Sequence, residues 1–162
     1  MEKETSSVPS LVNEVRYISL SRRIKVLGFA IMFGLLVIYA AGLFVASNNI
    51  NKDLAILNLA SLILCSFLSI TSVYVRKMML KSVNSKNFMS RYFTVHIIPF
   101  AMCDMGGLFC IATNLFINEN IIYASFGALI SVIYVFLNFP KHSDMEGINA
   151  RGKIIDAGRM HQ

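Results

Sequence analysis

The chain has 162 residues, of which 56% are hydrophobic and 15% charged, with a net charge of +6 and a mean hydropathy of +0.61. Average globular chains carry about 45–50% apolar and about 25% charged residues, and a soluble domain of this size needs a largely polar surface. Disorder, coiled coil, collagen and disulfide-rich scaffolds are excluded, and a bilayer protein is left.

Residues 8–24 carry apolar side chains at Val8, Leu11, Val12, Val15, Ile18 and Ile24, at helical spacing. Asn13, Glu14, Arg16 and Arg23 fall largely elsewhere around the helix, and Pro9 suits a first turn. The pattern predicts a short amphipathic helix, either lying on a leaflet with its cations near anionic headgroups or packed under a bundle. Residues 26–46 follow, an uncharged run between Lys25 and the Ser47-Asn48-Asn49 cluster. It exceeds the apolar core of about 7–15 residues found in secretory signals and reads as an uncleaved anchor. Residues 54–75, bounded by Asp53 and Arg76, form a second uncharged span, and the segment from Arg76 to Tyr92 is rich in Ser, Asn and Lys. Residues 93–117 make a third span holding His96, Pro99 and Asp104, and residues 121–139 a fourth that stops at Pro140-Lys141. Each approaches or exceeds the roughly 20 apolar residues that cross about 30 Å of hydrocarbon. The tail, 140–162, mixes both signs of charge, has three glycines and lacks sustained periodicity, so a frayed or weakly helical segment is expected.

The expected fold is all-α: one polytopic membrane domain with four transmembrane helices in a bundle, preceded by the amphipathic helix. Strands of a membrane barrel would be shorter and would alternate apolar with polar. Lys and Arg mark the threading. The segments before the first span, between the second and third, and after the fourth hold fourteen of them, against one in the other two loops. Both termini and the middle loop are therefore expected in the cytoplasm, in a multi-pass protein of the bacterial inner membrane. No basic helix or aromatic platform stands apart from the membrane edges, so no nucleic-acid partner is expected.

Asp104 is the one acid inside a span, eleven residues beyond Phe93, which places it about 16 Å deep, near the midplane. A charged carboxylate there costs a few kcal/mol and belongs against a bundle interior, a cavity or a partner. It reads either as a proton or cation site or as a protonated acid donating a hydrogen bond to a neighbouring helix. Cys103, Gly106, Gly107 and Cys110 leave the helix thin around it, and His96 lies two turns away, about 80° around the axis, either an interfacial histidine near the helix end or one end of a water-linked relay. Pro99 frees a backbone carbonyl between them and is expected to kink the helix. The candidate intramembrane site comprises Asp104, His96, Cys103, Gly106, Gly107 and Asn114.

Stripes of small and polar residues mark the other spans: Asn58, Ser61, Cys65, Ser69 and Ser72 on the second, Ala124, Gly127, Ser131, Tyr134 and Asn138 on the fourth, and Ala30 with Gly34 on the first. Helix packing or a hydrated pathway beside Asp104 would account for them. The three cysteines, Cys65, Cys103 and Cys110, have no C-x-x-C spacing, and His96 and His142 lie far apart. Neither a metal nor another cofactor is expected. No phosphate loop, nucleophile elbow or dinucleotide fingerprint occurs, and an enzyme is not expected.

The run HIIPFAMCDMGGLFCIATNLF, followed by a tiny polar loop and an apolar helix ending NFPK, resembles small bacterial four-helix membrane proteins of unknown function. Its third helix is similar to the acid-bearing outer helix of rotary ATPase c subunits, and that resemblance implies that Asp104 stands where the ion-carrying carboxylate stands. The sequence thus points to a non-enzymatic bundle that is a structural or accessory subunit, in contact with lipid and either self-associating or joined to other membrane subunits. The alternative is a proton- or cation-translocating component using Asp104.

Overall fold

The computed structural model describes residues 14–45, 56–84, 87–117 and 121–159. Five helices follow one another: α1 (Glu14–Val45), α2 (Ile56–Leu80), α3 (Phe88–Ile117), α4 (Ile121–Leu137) and α5 (His142–Arg159). No strand occurs among the described residues. α1, α2 and α3 are each long and apolar enough to cross a membrane, and α4 and α5, joined through a 45° bend, make a fourth crossing if the pair is one span.

α1, α2 and α3 run past the apolar stretches that announced them, and α4 stops two residues short of its own. α1 is a single helix of 32 residues, about 48 Å, so it extends well beyond a hydrocarbon core of about 30 Å. Residues 8–13 of the expected amphipathic helix lie outside the described residues, and residues 14–24 are the first turns of α1 rather than a separate element. Val15 and Ile18 point outward at 72% and 57% exposure, while Tyr17, Leu20, Ser21 and Ile24 are buried. The reason is packing: Tyr17, Leu20 and Ile24 join Phe88, Tyr92 and Val95 of α3 and Ile148 of α5 in one cluster. The tail is likewise not frayed where it is described, because α5 starts right after the Pro140 corner and buries Asp144 and Ile148.

Polarity is inverted across the bundle. The buried residues of α2 are Asn58, Ser61, Cys65, Ser69, Ser72 and Arg76, while Leu59, Ile63, Phe67, Ile70, Tyr74 and Met78 face outward. α4 likewise buries Ala124, Gly127 and Ser131 and exposes Phe126, Leu129, Ile133 and Phe136. In water this arrangement would leave a large apolar surface uncovered. In lipid, where tails are as apolar as Leu, small and polar residues belong at helix contacts. The stripes on the second and fourth spans therefore face inward, as expected, although Tyr134 is only half-buried. Ala30 and Gly34 do not: Ala30 is exposed, and nothing lies within 4 Å of a Cβ built on Gly34. From residue 26 onward α1 is apolar all round, so its contact line is chosen by fit, through Gly28 against Phe139 and Phe100 and through Gly42 against Leu115 and Ile111.

α3 runs through Pro99 as one helix and packs on α1, α2 and α4. Its close approach to α2 needs glycine at Gly106, where a Cβ would sit 3.1 Å from the Cα of Cys65. On the α4 side, a Cβ at Gly127 would collide with the side chain of Cys110. Backbone cannot yield as a flexible side chain can, so Gly106→Leu should lower stability by about 1–3 kcal/mol. Gly34→Leu should leave it unchanged, and thermal melts of the two variants in one detergent check the contrast.

Candidate functional site

The inward faces of α2, α3 and α4 form a continuous column of polar groups. At the end away from α5, Ser61 Oγ donates to the Asn58 carbonyl at 2.8 Å, and Thr113 Oγ1 donates to Ser61 Oγ at 3.0 Å. Asn114 lines a crevice there with Tyr39 and Gly42 of α1 and Ala124 of α4. One level along, Cys65 Sγ lies 3.5 Å from Ser131 Oγ, which donates to the Cys103 carbonyl at 2.7 Å. At the next level, Asn138 Nδ2 and Cys103 Sγ both donate to Ser72 Oγ, at 2.8 and 3.3 Å, and Ser72 passes its proton to the Ser69 carbonyl at 2.6 Å. Asn58 Oδ1, Ser69 Oγ, Asn114 Oδ1 and Asn138 Oδ1 are buried without a hydrogen-bond partner among the described residues. An orphaned buried acceptor costs about 1–3 kcal/mol, so four along one column make its interior the costly part of the fold.

The column ends in an ion pair. Arg76 Nη2 meets Asp144 Oδ2 at 2.6 Å, with the two side chains 6% and 7% exposed. The same carboxylate oxygen accepts from Tyr92 OH at 3.1 Å and from the Lys141 backbone N–H at 3.0 Å. Lys141 immediately precedes α5 and Asp144 is its third residue, so the second of these bonds also caps the helix. Arg76 Nη2 reaches the Phe139 carbonyl at 3.3 Å, and Arg76 Nε donates to His96 Nε2 at 3.4 Å. With Nε2 accepting, His96 carries its proton on Nδ1 and donates it to the Tyr92 carbonyl at 2.9 Å. Tyr17 OH donates to the Lys141 carbonyl at 2.7 Å, tying α1 to the same corner.

The sequence-predicted residues are thus divided between two places. His96, Cys103, Gly106, Gly107 and Asn114 are all buried on the inner face of α3. Asp104 is only half-buried, on the flank of the helix, and has no hydrogen bond or ion pair to any described residue. One residue turns a helix by about 100°, which is enough to carry Asp104 off the face that Cys103 occupies. The His96 imidazole is held by Arg76 and the Tyr92 carbonyl and makes no direct hydrogen bond to Asp104. Arg76 and Asp144 are the residues that sequence reasoning missed. Arg76 was legible as the next step of the stripe that runs through Asn58, Ser61, Cys65, Ser69 and Ser72. Asp144 had only its place just after a proline corner to mark it. No group of three or more His, Cys, Asp or Glu side chains among the described residues could hold a metal ion.

Removing one partner of a buried ion pair leaves the other uncompensated, at about 3–5 kcal/mol, whereas replacing both with apolar groups is often near neutral. Arg76→Met and Asp144→Leu should each lower stability by that amount, and the double variant by clearly less than the sum. A double-mutant cycle on thermal melts reads the coupling.

Comparison of the chain with family models, with curated proteins and with solved structures returned no match.

Proposed function

We propose that the chain is a non-enzymatic integral membrane protein that crosses a bacterial inner membrane four times, with both termini cytoplasmic, and serves as a structural or accessory subunit of a membrane assembly. Four crossings are supported by the outward face of α4, where Ile121, Ile122, Phe126, Leu129, Ile133 and Phe136 are all exposed. Its 17 residues cover about 26 Å, near the thickness of the hydrocarbon core. An even number of crossings returns the chain to the side where fourteen of its fifteen Lys and Arg residues lie.

The observation that carries the assembly reading is the contrast between two acids. Asp144 collects donors from three residues, whereas Asp104, near the midplane, has none among the described residues and is left on the half-open flank of α3. A carboxyl at that depth costs a few kcal/mol unless it is partnered. A donor from a second copy of the chain or from another subunit would meet that need. A second reading, proton or cation translocation through Asp104, draws on the polar column and its four orphaned acceptors, which a file of water would satisfy.

Substitution at Asp104 separates the two. Under the assembly reading, Asp104→Asn keeps a hydrogen-bonding amide and leaves the complex intact on native gels, while Asp104→Leu weakens it by about 0.6–2 kcal/mol per lost interhelical bond. Under translocation, Asn fails as badly as Leu because it cannot titrate. The Asn variant is expected to be tolerated. Threading has its own test: cysteines placed at Ser82 and after residue 162 should react with an impermeant thiol reagent only once the cytoplasmic face is opened.

A further inference from the structure

The outer surface of α1 carries a cavity of about 470 Å³ at the point where the chain leaves the apolar part of the bundle. One wall is α1, from Tyr17 to Phe29, and the other is the corner between α4 and α5 at Pro140 and His142. Its composition changes along α1. Tyr17, Ile18 and Ser21 line the part nearest the start of the helix, Arg22 and Lys25 the middle, and Val26 and Phe29, 63% and 54% exposed, the part inside the apolar run. Tyr17 forms the back wall, its ring edge-on to His142 at 6.2 Å and its hydroxyl fixed to the Lys141 carbonyl. A second cavity of about 350 Å³ adjoins it, sharing Arg22 and adding Arg23.

We propose that this cavity binds the headgroup of an anionic phospholipid of the cytoplasmic leaflet, with the phosphate against Arg22 and Lys25 and the first acyl carbons against Val26 and Phe29. The inference rests on the four-span reading above, which sets Lys25 at the edge of the hydrocarbon. Three observations favour this occupant. Arg22 and Lys25 are both exposed and form no ion pair with a described carboxylate, whereas Arg76 is fully engaged and His142 is paired with Glu146. The two cations are three residues apart on one helix face, where like charges repel unless an anion lies between them. From Arg22 to Phe29 the lining also passes from cationic to apolar, as a phospholipid does from its headgroup downward, and basic pockets at the cytoplasmic edge of helices are where anionic lipids bind. A free phosphate would satisfy the cations alone and leave Val26 and Phe29 without a role.

The test uses the full chain in phosphatidylcholine nanodiscs, with and without phosphatidylglycerol, and reads lipid occupancy by native mass spectrometry together with thermal stability. Phosphatidylglycerol is expected to bind in preference to phosphatidylcholine and to raise the melting temperature, while inorganic phosphate does neither. Arg22→Gln with Lys25→Gln should weaken phosphatidylglycerol binding by roughly 30-fold, at about a factor of five per cation. The pair Lys77→Gln with Arg91→Gln, basic and exposed but outside the cavity, should not weaken it. Because Arg22 and Lys25 are exposed, their double variant should melt as the parent does in phosphatidylcholine alone. If it does not, crosslinking of a photoactivatable phosphatidylglycerol to the parent protein, mapped to residues 17–29 and 140–142, decides instead. Equal stabilisation by inorganic phosphate, an equal loss in the control pair, or crosslinks elsewhere would overturn the proposal. A chain that alkaline carbonate strips from native membranes would overturn the span reading itself; a chain that stays embedded but shows no lipid preference overturns the cavity assignment alone.

Discussion

One oxygen of Asp144 organises an end of this bundle. It draws a guanidinium from α2, a phenol from α3 and a backbone N–H from the start of α5 onto a single acceptor. A lone carboxylate or a lone guanidinium in so apolar a setting would cost several kcal/mol, so neither residue is tolerable there without the other. The pairing therefore dictates more than itself. The chain must bend at Pro140 for Asp144 to reach Arg76, α2 must stay helical to Arg76, and α3 must begin early enough for Tyr92 to arrive. Aromatic rings fill the space around the pair, with Phe88 stacked on Tyr92 at 4.9 Å and Tyr92 against His96 at 4.6 Å. That packing excludes the water that would otherwise weaken the charge interaction.

From this end inward, the bundle changes its means of cohesion. The ring-filled cluster gives way to the narrower contacts of Gly106 on Cys65 and Gly127 on Cys110, where close backbone approach replaces bulk. Serine, cysteine and asparagine fill those contacts, and most of their protons go to carbonyls or to one another across α2, α3 and α4. The apolar side chains are turned outward. Such an arrangement is stable only where the surroundings offer no competing hydrogen bonds, which is the condition a bilayer supplies.

The two acids then have opposite standing. Asp144 is a solved electrostatic problem within the chain. Asp104 is an open one, left on a flank of α3 that the fold only half covers. Neither its depth nor its chemistry separates it from an interior residue; about 100° of helix rotation does.

Much of this was legible in the residues themselves. The surplus of apolar side chains, the scarcity of charge and four long apolar runs establish a helical, membrane-compatible chain. The 3–4 spacing of Asn58, Ser61, Cys65, Ser69 and Ser72 establishes which face of α2 turns inward, because one face is small and polar and the other is bulky. Local periodicity can do this wherever two faces differ. It fails on residues 26–45 of α1, which are apolar all round: Ala30 is exposed and a Cβ on Gly34 would meet no described residue, and contact runs instead through Gly28, Leu35 and Gly42, chosen by the shapes of Phe139, Phe100 and Ile111. It fails equally for the Arg76–Asp144 pair, 68 residues apart, since attraction between distant charges leaves no periodic trace. Composition and spacing determined a helical, membrane-compatible chain and the inward faces of α2 and α4. Only the tertiary fold decided which charges meet, because that depends on where the chain turns back on itself.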